Sequence, residues 1–173
     1  MPHAEIRTAE TLQLIQNPTL VILAGTCGAL SDTLAKNDLF ATAVPNGLQV
    51  PWEQTGLYTS RELIAGLEHR RRLHAETGCT CVDMEQSFVK AKVDALNLPF
   101  LGLRIVSDTG KEEVPEEAFA RVYNIASGRY TYGRLMAYLF THPAEIKKLK
   151  AFTNSLKPTL QKLADELAGW LID

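Results

Sequence analysis

The sequence predicts an α/β fold in three layers, with a mainly parallel central sheet, helices on both faces and a long helix at the C-terminus. Three observations lead there. Residues 19–24 (TLVILA) are a continuous apolar run of strand length, the pattern of a strand covered on both faces. Residues 79–110 read as strand, helix, strand: 80–82, then 86–96 with apolar Phe88, Val89, Val93 and Leu96, then 100–106. A crossover of that length predicts that the two strands are parallel neighbours. Apolar residues also recur every three or four positions from Ile146 to Trp170, the stripe of a long helix with one packed face. The 173 residues suffice for a single domain with its own core. It divides into an N-terminal helix (1–18), a core carrying the chemistry-bearing motifs (19–110) and C-terminal helices (111–173).

In chain order, residues 8–16 read as a short helix with Leu12, Leu14 and Ile15 inward, stopped by Asn17-Pro18. The strand at 19–24 leads into Gly25-Thr26-Cys27-Gly28, expected to be a small-residue loop at a strand's carboxyl end. Such a loop is either a tight turn or a place where backbone N–H groups meet an anion or an oxygen-rich group. Residues 38–43 (DLFATA) are the next strand. Residues 44–56, with Pro45, Asn46, Gly47, Pro51 and Gly56, read as a loop in which Trp52 is an anchor or a site wall. Ser60 suits the N-cap of a helix over 61–76, and Gly78 suits its end. Asn97 and Pro99 end the helix at 86–96. Residues 112–125 are expected to be helical, with Phe119, Val122 and Tyr123 inward. Ser127-Gly128 breaks that helix, and an apolar, aromatic stretch follows at 130–140. Pro143 suits the first turn of the final helix, which Pro158 is expected to bend or restart. The stripe on that helix either covers the sheet or meets a second copy of the chain.

Net charge is −2, without the basic excess of a nucleic-acid partner. The one basic cluster, His69-Arg70-Arg71-Arg72, lies in a helical pattern and reads as a solvated face. No apolar run approaches the ~20 residues that span a bilayer, and the N-terminus lacks a signal peptide's apolar core, so no membrane partner is expected. Three cysteines, Cys27, Cys79 and Cys81, make no disulfide framework and point to a reducing, cytoplasmic setting. Cys79 and Cys81 share a strand face, but no His or further Cys stands at ligand spacing. They read as buried small hydrophobes rather than metal ligands. No metal or organic cofactor is expected.

Ligands of open α/β sheets sit outside the carboxyl ends of strands. Val82 runs into Asp83-Met84-Glu85, and Val106 into Ser107-Asp108-Thr109-Gly110. As ends of neighbouring parallel strands, Glu85 and Asp108 would face one crevice. Residue type alone leaves a structural explanation open: Glu85 as a helix-start carboxylate favoured by the macrodipole, and Asp108 as a turn residue.

The ordered set Val82-Asp83-Met84-Glu85, Leu98-Pro99-Phe100 and Leu103-Arg104-Ile105-Val106-Ser107-Asp108-Thr109 resembles the nucleoside phosphorylase and nucleosidase superfamily, with its V-[DE]-M-E, P-F and R-x-x-S-D segments. Residues 24–30, followed by Asp38, resemble the same family's G-[ST]-x-G-x-L loop and the opening of its next strand. The tail from Gly133 is similar to that of hopanoid-associated phosphorylase relatives. The resemblance implies a purine nucleoside phosphorylase-like or methylthioadenosine/S-adenosylhomocysteine nucleosidase-like domain. It would cleave the N-ribosidic bond of a purine nucleoside or a 5′-modified adenosine, with phosphate as a possible co-substrate and a homo-oligomer as the working form. It implies Glu85 as acceptor for the ribose hydroxyls, Met84 packed on the sugar, and Asp108 as general acid at N7 of the base. Thr26, Cys27 and Gly28 would line the sugar and nucleophile side, Ser107 would also bind the substrate, and Tyr58 would stack on the base.

The chemistry of the bond fits two acidic groups. Cleavage builds positive charge on the sugar and negative charge on the base. A carboxylate relieves the first and a carboxylic acid the second, and general acid catalysis is typically worth about 10²–10⁴-fold. Departures from the family pattern bear on mechanism. Few residues precede the strand at 19–24, where the family carries further strands that supply a phosphate-binding arginine or a water-activating carboxylate. A neighbouring subunit would complete the site, with Arg70 to Arg72 or His142 as donors. Otherwise the nucleophile half is lost, leaving a nucleoside-binding module or an interaction protein. Gln86 and Ser87 also stand where the family often has small residues.

Overall fold

The computed structural model describes residues 18–111, 123–124, 129–130 and 132–172. Five strands form one sheet: β1 (Val21–Ala29), β2 (Leu39–Ala43), β3 (Leu57–Thr59), β4 (Cys81–Asp83) and β5 (Phe100–Asp108), in the order β2-β5-β1-β4-β3. Four helices accompany them among the described residues: α1 (Leu67–Thr77), α2 (Gln86–Ala95), α3 (Tyr132–Thr141) and α4 (Pro143–Ile172). The α/β class, the helix-flanked sheet and the long C-terminal helix are as expected.

The core follows from the alternation of β5, every residue of which is buried. Leu101, Leu103 and Ile105 point to one face, where Ala41, Trp52 and Leu163 of α4 close over them. Phe100 points to the other, where Val89 and Val93 of α2 pack on it with Val21 and Leu23. Fully burying one such aliphatic side chain is worth about 1.5–3 kcal/mol. These two layers of contacts fix the sheet between α4 and α2. Trp52 is an anchor, its ring set edge-on to Trp170 with centroids 5.3 Å apart.

The sheet is mixed, and this corrects the expected strand pairing. β4 and β5 are not neighbours, because β1 lies between them. β1 pairs with β5 in parallel from Val21 to Gly28, and with β4 antiparallel at Gly28 and Ala29. β2 is antiparallel to β5, and β3 is parallel to β4. The physical reason is the length of β1. It runs straight through Gly25-Thr26-Cys27-Gly28, which is strand and not the expected loop, so it offers one edge to β5 and, at its end, the other edge to β4. The register slips between Cys27 and Gly28, where the irregularity brings Gly28 opposite Asp108.

Other boundaries move for local reasons. The helix expected over 61–76 begins at Leu67, because Gly66 sits at φ 76. Ser60 caps a turn instead, its Oγ accepting from the Glu62 N–H. Gly78 closes α1 at φ 70, its N–H donating to the His74 carbonyl, as expected. Asn97, at φ 53, turns the chain after α2. The helix expected at 8–16 lies outside the described residues, as does most of that at 112–125. Tyr123–Asn124 is a strand, paired antiparallel with Arg129–Tyr130. Pro158 does not interrupt α4, which runs on through it. No helix among the described residues is long and apolar enough to cross a membrane.

Candidate active site

The end of β1 gathers the three motif segments. Gly28 pairs with Val82 on one side and with Asp108 on the other. Thr26 is half-buried and Cys27 is buried beside Ser107, whose Oγ lies 3.0 Å from the Cys27 carbonyl. The same Oγ donates to Asp108 Oδ1 at 2.9 Å. Asp108 is 7% exposed, and its Oδ2 is ion-paired with Arg70 of α1. The Arg70 guanidinium is buried and held at all three nitrogens: besides the Nη2 contact to Asp108, Nε donates to the Ile64 carbonyl (3.1 Å), and Nη1 to the carbonyls of Ala29 (3.2 Å) and Asp108 (3.4 Å). Arg70 is 3% exposed, so the expectation that the whole His69–Arg72 run is a solvated face fails at this residue. Arg71 and Arg72 do face outward. Space for Arg70 comes from glycine. A Cβ on Gly28 would stand 2.9 Å from Nη1, and one on Gly110, itself at φ 79, 2.9 Å from Cδ.

A second buried ion pair holds the V-D-M-E segment. Arg104 projects from β5 on the α2 side and reaches past Gly25 of β1 to Asp83, with Nε at 3.3 Å and Nη2 at 2.8 Å from Oδ2. Its Nη1 donates to the Leu23 carbonyl at 2.8 Å. Asp83 Oδ1 accepts from Thr59 Oγ1 (2.8 Å), and Oδ2 also accepts from the Gln86 N–H (2.9 Å) at the start of α2. One carboxylate therefore ties β3, β5 and α2 together and fixes where Met84 and Glu85 leave the sheet. Glu85 is exposed at the head of α2, and Met84 is half-buried. Tyr58, 36% exposed, stands on the edge strand β3 opposite Val82.

The structure thus brings Thr26, Cys27, Gly28, Ser107 and Asp108 together. Met84 and Glu85 follow β4, which runs antiparallel to β1 and β5, so the expectation that Glu85 and Asp108 share a crevice as carboxyl ends of parallel neighbours fails: the two strands leave the sheet in opposite directions, and Tyr58 stands one strand further out. Composition did not single out Asp83 or Arg70 as anchors. The readable signal for the other anchor was an arginine inside an otherwise apolar strand, FLGLRIV, since a charge on a buried strand must be paired.

Two thiols sit in this wall. The hydrogen bond from Cys27 to Cys81, with burial, pushes the Cys27 thiol well above its ordinary range, and the same bond lowers Cys81. Cys27 is therefore a neutral thiol at physiological pH and no nucleophile. Among the described residues no cluster of three or more His, Cys, Asp or Glu side chains is placed to hold a metal. A groove of about 700 Å³ between Gln49–Pro51 and α4 residues Asp165, Glu166, Gly169 and Trp170 shares no residue with this site.

No family model and no curated protein matches the chain. Solved structures do match in fold. A 5′-methylthioadenosine/S-adenosylhomocysteine nucleosidase from Colwellia psychrerythraea, solved with adenine, superposes with a TM-score of 0.52 at 16% identity, over 61% of this chain and 60% of that one. An S-adenosylhomocysteine nucleosidase from Streptococcus pyogenes gives 0.52 at 14% identity, over 62% and 61%. The futalosine hydrolase of Helicobacter pylori gives 0.54 at 16% identity, over 95% and 75%. The chain spans about three fifths of the length of the first two. The chain thus shares its fold with these nucleosidases over the matched residues.

Proposed function

We propose, from the fold this chain shares with those nucleosidases, that it cleaves the N-ribosidic bond of a purine nucleoside or a 5′-modified adenosine. The observation that supports the reading is the register at Gly28, which has Asp108 on one side and Val82, three residues before Glu85, on the other. The C1′–N bond breaks with its electron pair leaving on the base. Asp108 delivers a proton to N7, Glu85 accepts from the ribose hydroxyls, and an oxygen of water or of phosphate bonds to C1′. Met84 and the Thr26-Cys27-Gly28 segment line the sugar, and Tyr58 covers the base. A homo-oligomer is the form we expect to be active, to be checked by sedimentation.

A second reading, a nucleoside-binding module without turnover, draws support from the buried ion pair of Asp108. To donate a proton, that carboxylate must first take one up beside Arg70. The test follows free base released from adenosine, methylthioadenosine, S-adenosylhomocysteine, inosine and guanosine, with and without phosphate, for wild type, Asp108→Asn and Glu85→Gln. We expect release by wild type and a loss of about 10²–10⁴-fold in Asp108→Asn. Dependence on phosphate means phosphorolysis, and independence means hydrolysis. No release, with thermal stabilisation by a nucleoside, would sink the enzyme reading and leave the binding module.

A further inference from the structure

We propose that Arg70 is the positioning residue for Asp108, assigning different work to its two carboxyl oxygens. This rests on the reading of Asp108 as the general acid. Arg70 grips Oδ2 and donates as well to the Asp108 main-chain carbonyl, while Oδ1 meets only the Ser107 hydroxyl at 2.9 Å among the contacts described above. With Oδ2 against the guanidinium, the proton that reaches N7 is assigned to Oδ1. The Ser107 hydroxyl has one hydrogen and two acceptors in reach, Oδ1 at 2.9 Å and the Cys27 carbonyl at 3.0 Å. When Oδ1 is protonated, that hydrogen turns to Cys27. As the C1′–N bond breaks, the Oδ1 proton passes to N7 and Asp108 is left as a carboxylate, whose charge the guanidinium already in contact stabilises. A donor fixed in place where charge develops needs no reorganisation during the step.

The position is built for this. The guanidinium is held from three sides by the carbonyls of Ile64, Ala29 and Asp108, and both nearby glycines leave the room it needs. Its place at the first turn of α1, after Gly66, links the ends of β1 and β5 to a helix that the sequence motifs do not include.

The test is a double-mutant cycle on base release by the full chain, using wild type, Arg70→Met, Asp108→Asn, the double variant and Arg70→Lys. Arg70→Met is expected to lower kcat by a large part of the roughly 10²–10⁴-fold that Asp108→Asn costs, with KM little changed. The double variant should be no slower than Asp108→Asn alone, and Arg70→Lys should recover part of the rate. If the two losses multiply in the double variant, or Arg70→Met keeps its kcat, Arg70 only holds the fold and the proposal is overturned. An inactive wild type overturns the proposed function itself, before any variant is compared. Should Arg70→Met not fold, Arg70→Gln, which keeps hydrogen-bond donors but removes the charge, takes its place. It should show the same non-additivity with Asp108→Asn, and additivity there overturns the proposal equally.

Discussion

Arg104 and Asp83 are 2% and 7% exposed, and each would be costly to bury alone. Their value lies in what they join, since Thr59, the start of α2 and the Leu23 carbonyl all bond to the same pair. Arg104→Met leaves Asp83 with its lighter partners only and is expected to cost about 3–5 kcal/mol, read from urea unfolding. Adding Asp83→Leu should cost less than the sum of the two single changes, because the uncompensated charge is then gone. A fully additive result would mean the pair is not coupled. The thiols make a separate prediction at this scale. Cys27 and Cys81 are 3% and 0% exposed, and Cys79 is half-buried. A thiol reagent should titrate one cysteine rapidly in the native protein, at Cys79 by peptide mapping, and three only after denaturation. Rapid native labelling of Cys27 would contradict the buried wall beside Asp108.

Between elements, the tightest junction is where α2 crosses β5. Gly102 has Gln86 Oε1 and Thr42 Oγ1 each 2.5 Å from where a Cβ would stand, and those two atoms share a 2.7 Å hydrogen bond. Gly102→Ala must part them and is expected to lower stability by about 1–3 kcal/mol, measured by thermal or urea unfolding. No change would mean that α2 gives way freely. The identity of most elements was legible because periodicity and end signals are local. TLVILA is a strand, Gly78 ends a helix, and Asn97 turns the chain. Pairing was not legible, because which strand lies next to β1 depends on how far β1 runs. That is set by β5 continuing to pair with Gly25-Thr26-Cys27, residues that by type suggest a loop. Arg70 was illegible for a similar reason: within His69-Arg70-Arg71-Arg72 the residue type is uniform, and only the helix rotation decides which one turns inward. Asp108, Glu85 and the 26–28 segment were singled out through their motifs, and of these the register sets Gly28 against Asp108. Pro158 follows the same logic from the other side. It leaves one turn of α4 short of a hydrogen bond, yet α4 continues and the next residue, Thr159, is fully buried with its Oγ1 2.6 Å from Asn37 Oδ1. Tertiary seating outweighs local propensity here.

For the molecule as a whole, the question is whether α4 is part of the domain or an appendage that serves another partner. Leu163 is 6% exposed, and it shares one cluster with Leu101, Leu103 and Ile105 of β5 and with Trp52, while Leu167 and Trp170 pack at its margin. Thr159 and Lys162 reach back to Asn37 ahead of β2, the lysine Nζ lying 3.0 Å from the Asn37 carbonyl. Other stripe residues, Ile146 and Leu160, are nearly half-exposed, so the apolar pattern overstates the contact. Even so, removing α4 would uncover the α4-facing side of β5, the most buried strand of the sheet. At about 25 cal/mol per Å² of apolar surface, that exposure is comparable with the entire margin of stability of a small domain. A chain ending at His142 should therefore lose cooperative unfolding and its Trp52 fluorescence blue shift, and should not bind or turn over nucleosides. Circular dichroism, tryptophan emission and the base-release assay follow those three properties. If the shortened chain instead keeps a sharp transition and its activity, α4 is a separate attachment. The leucine stripe would then belong to an interaction role, and the domain that carries Asp108 would end before it.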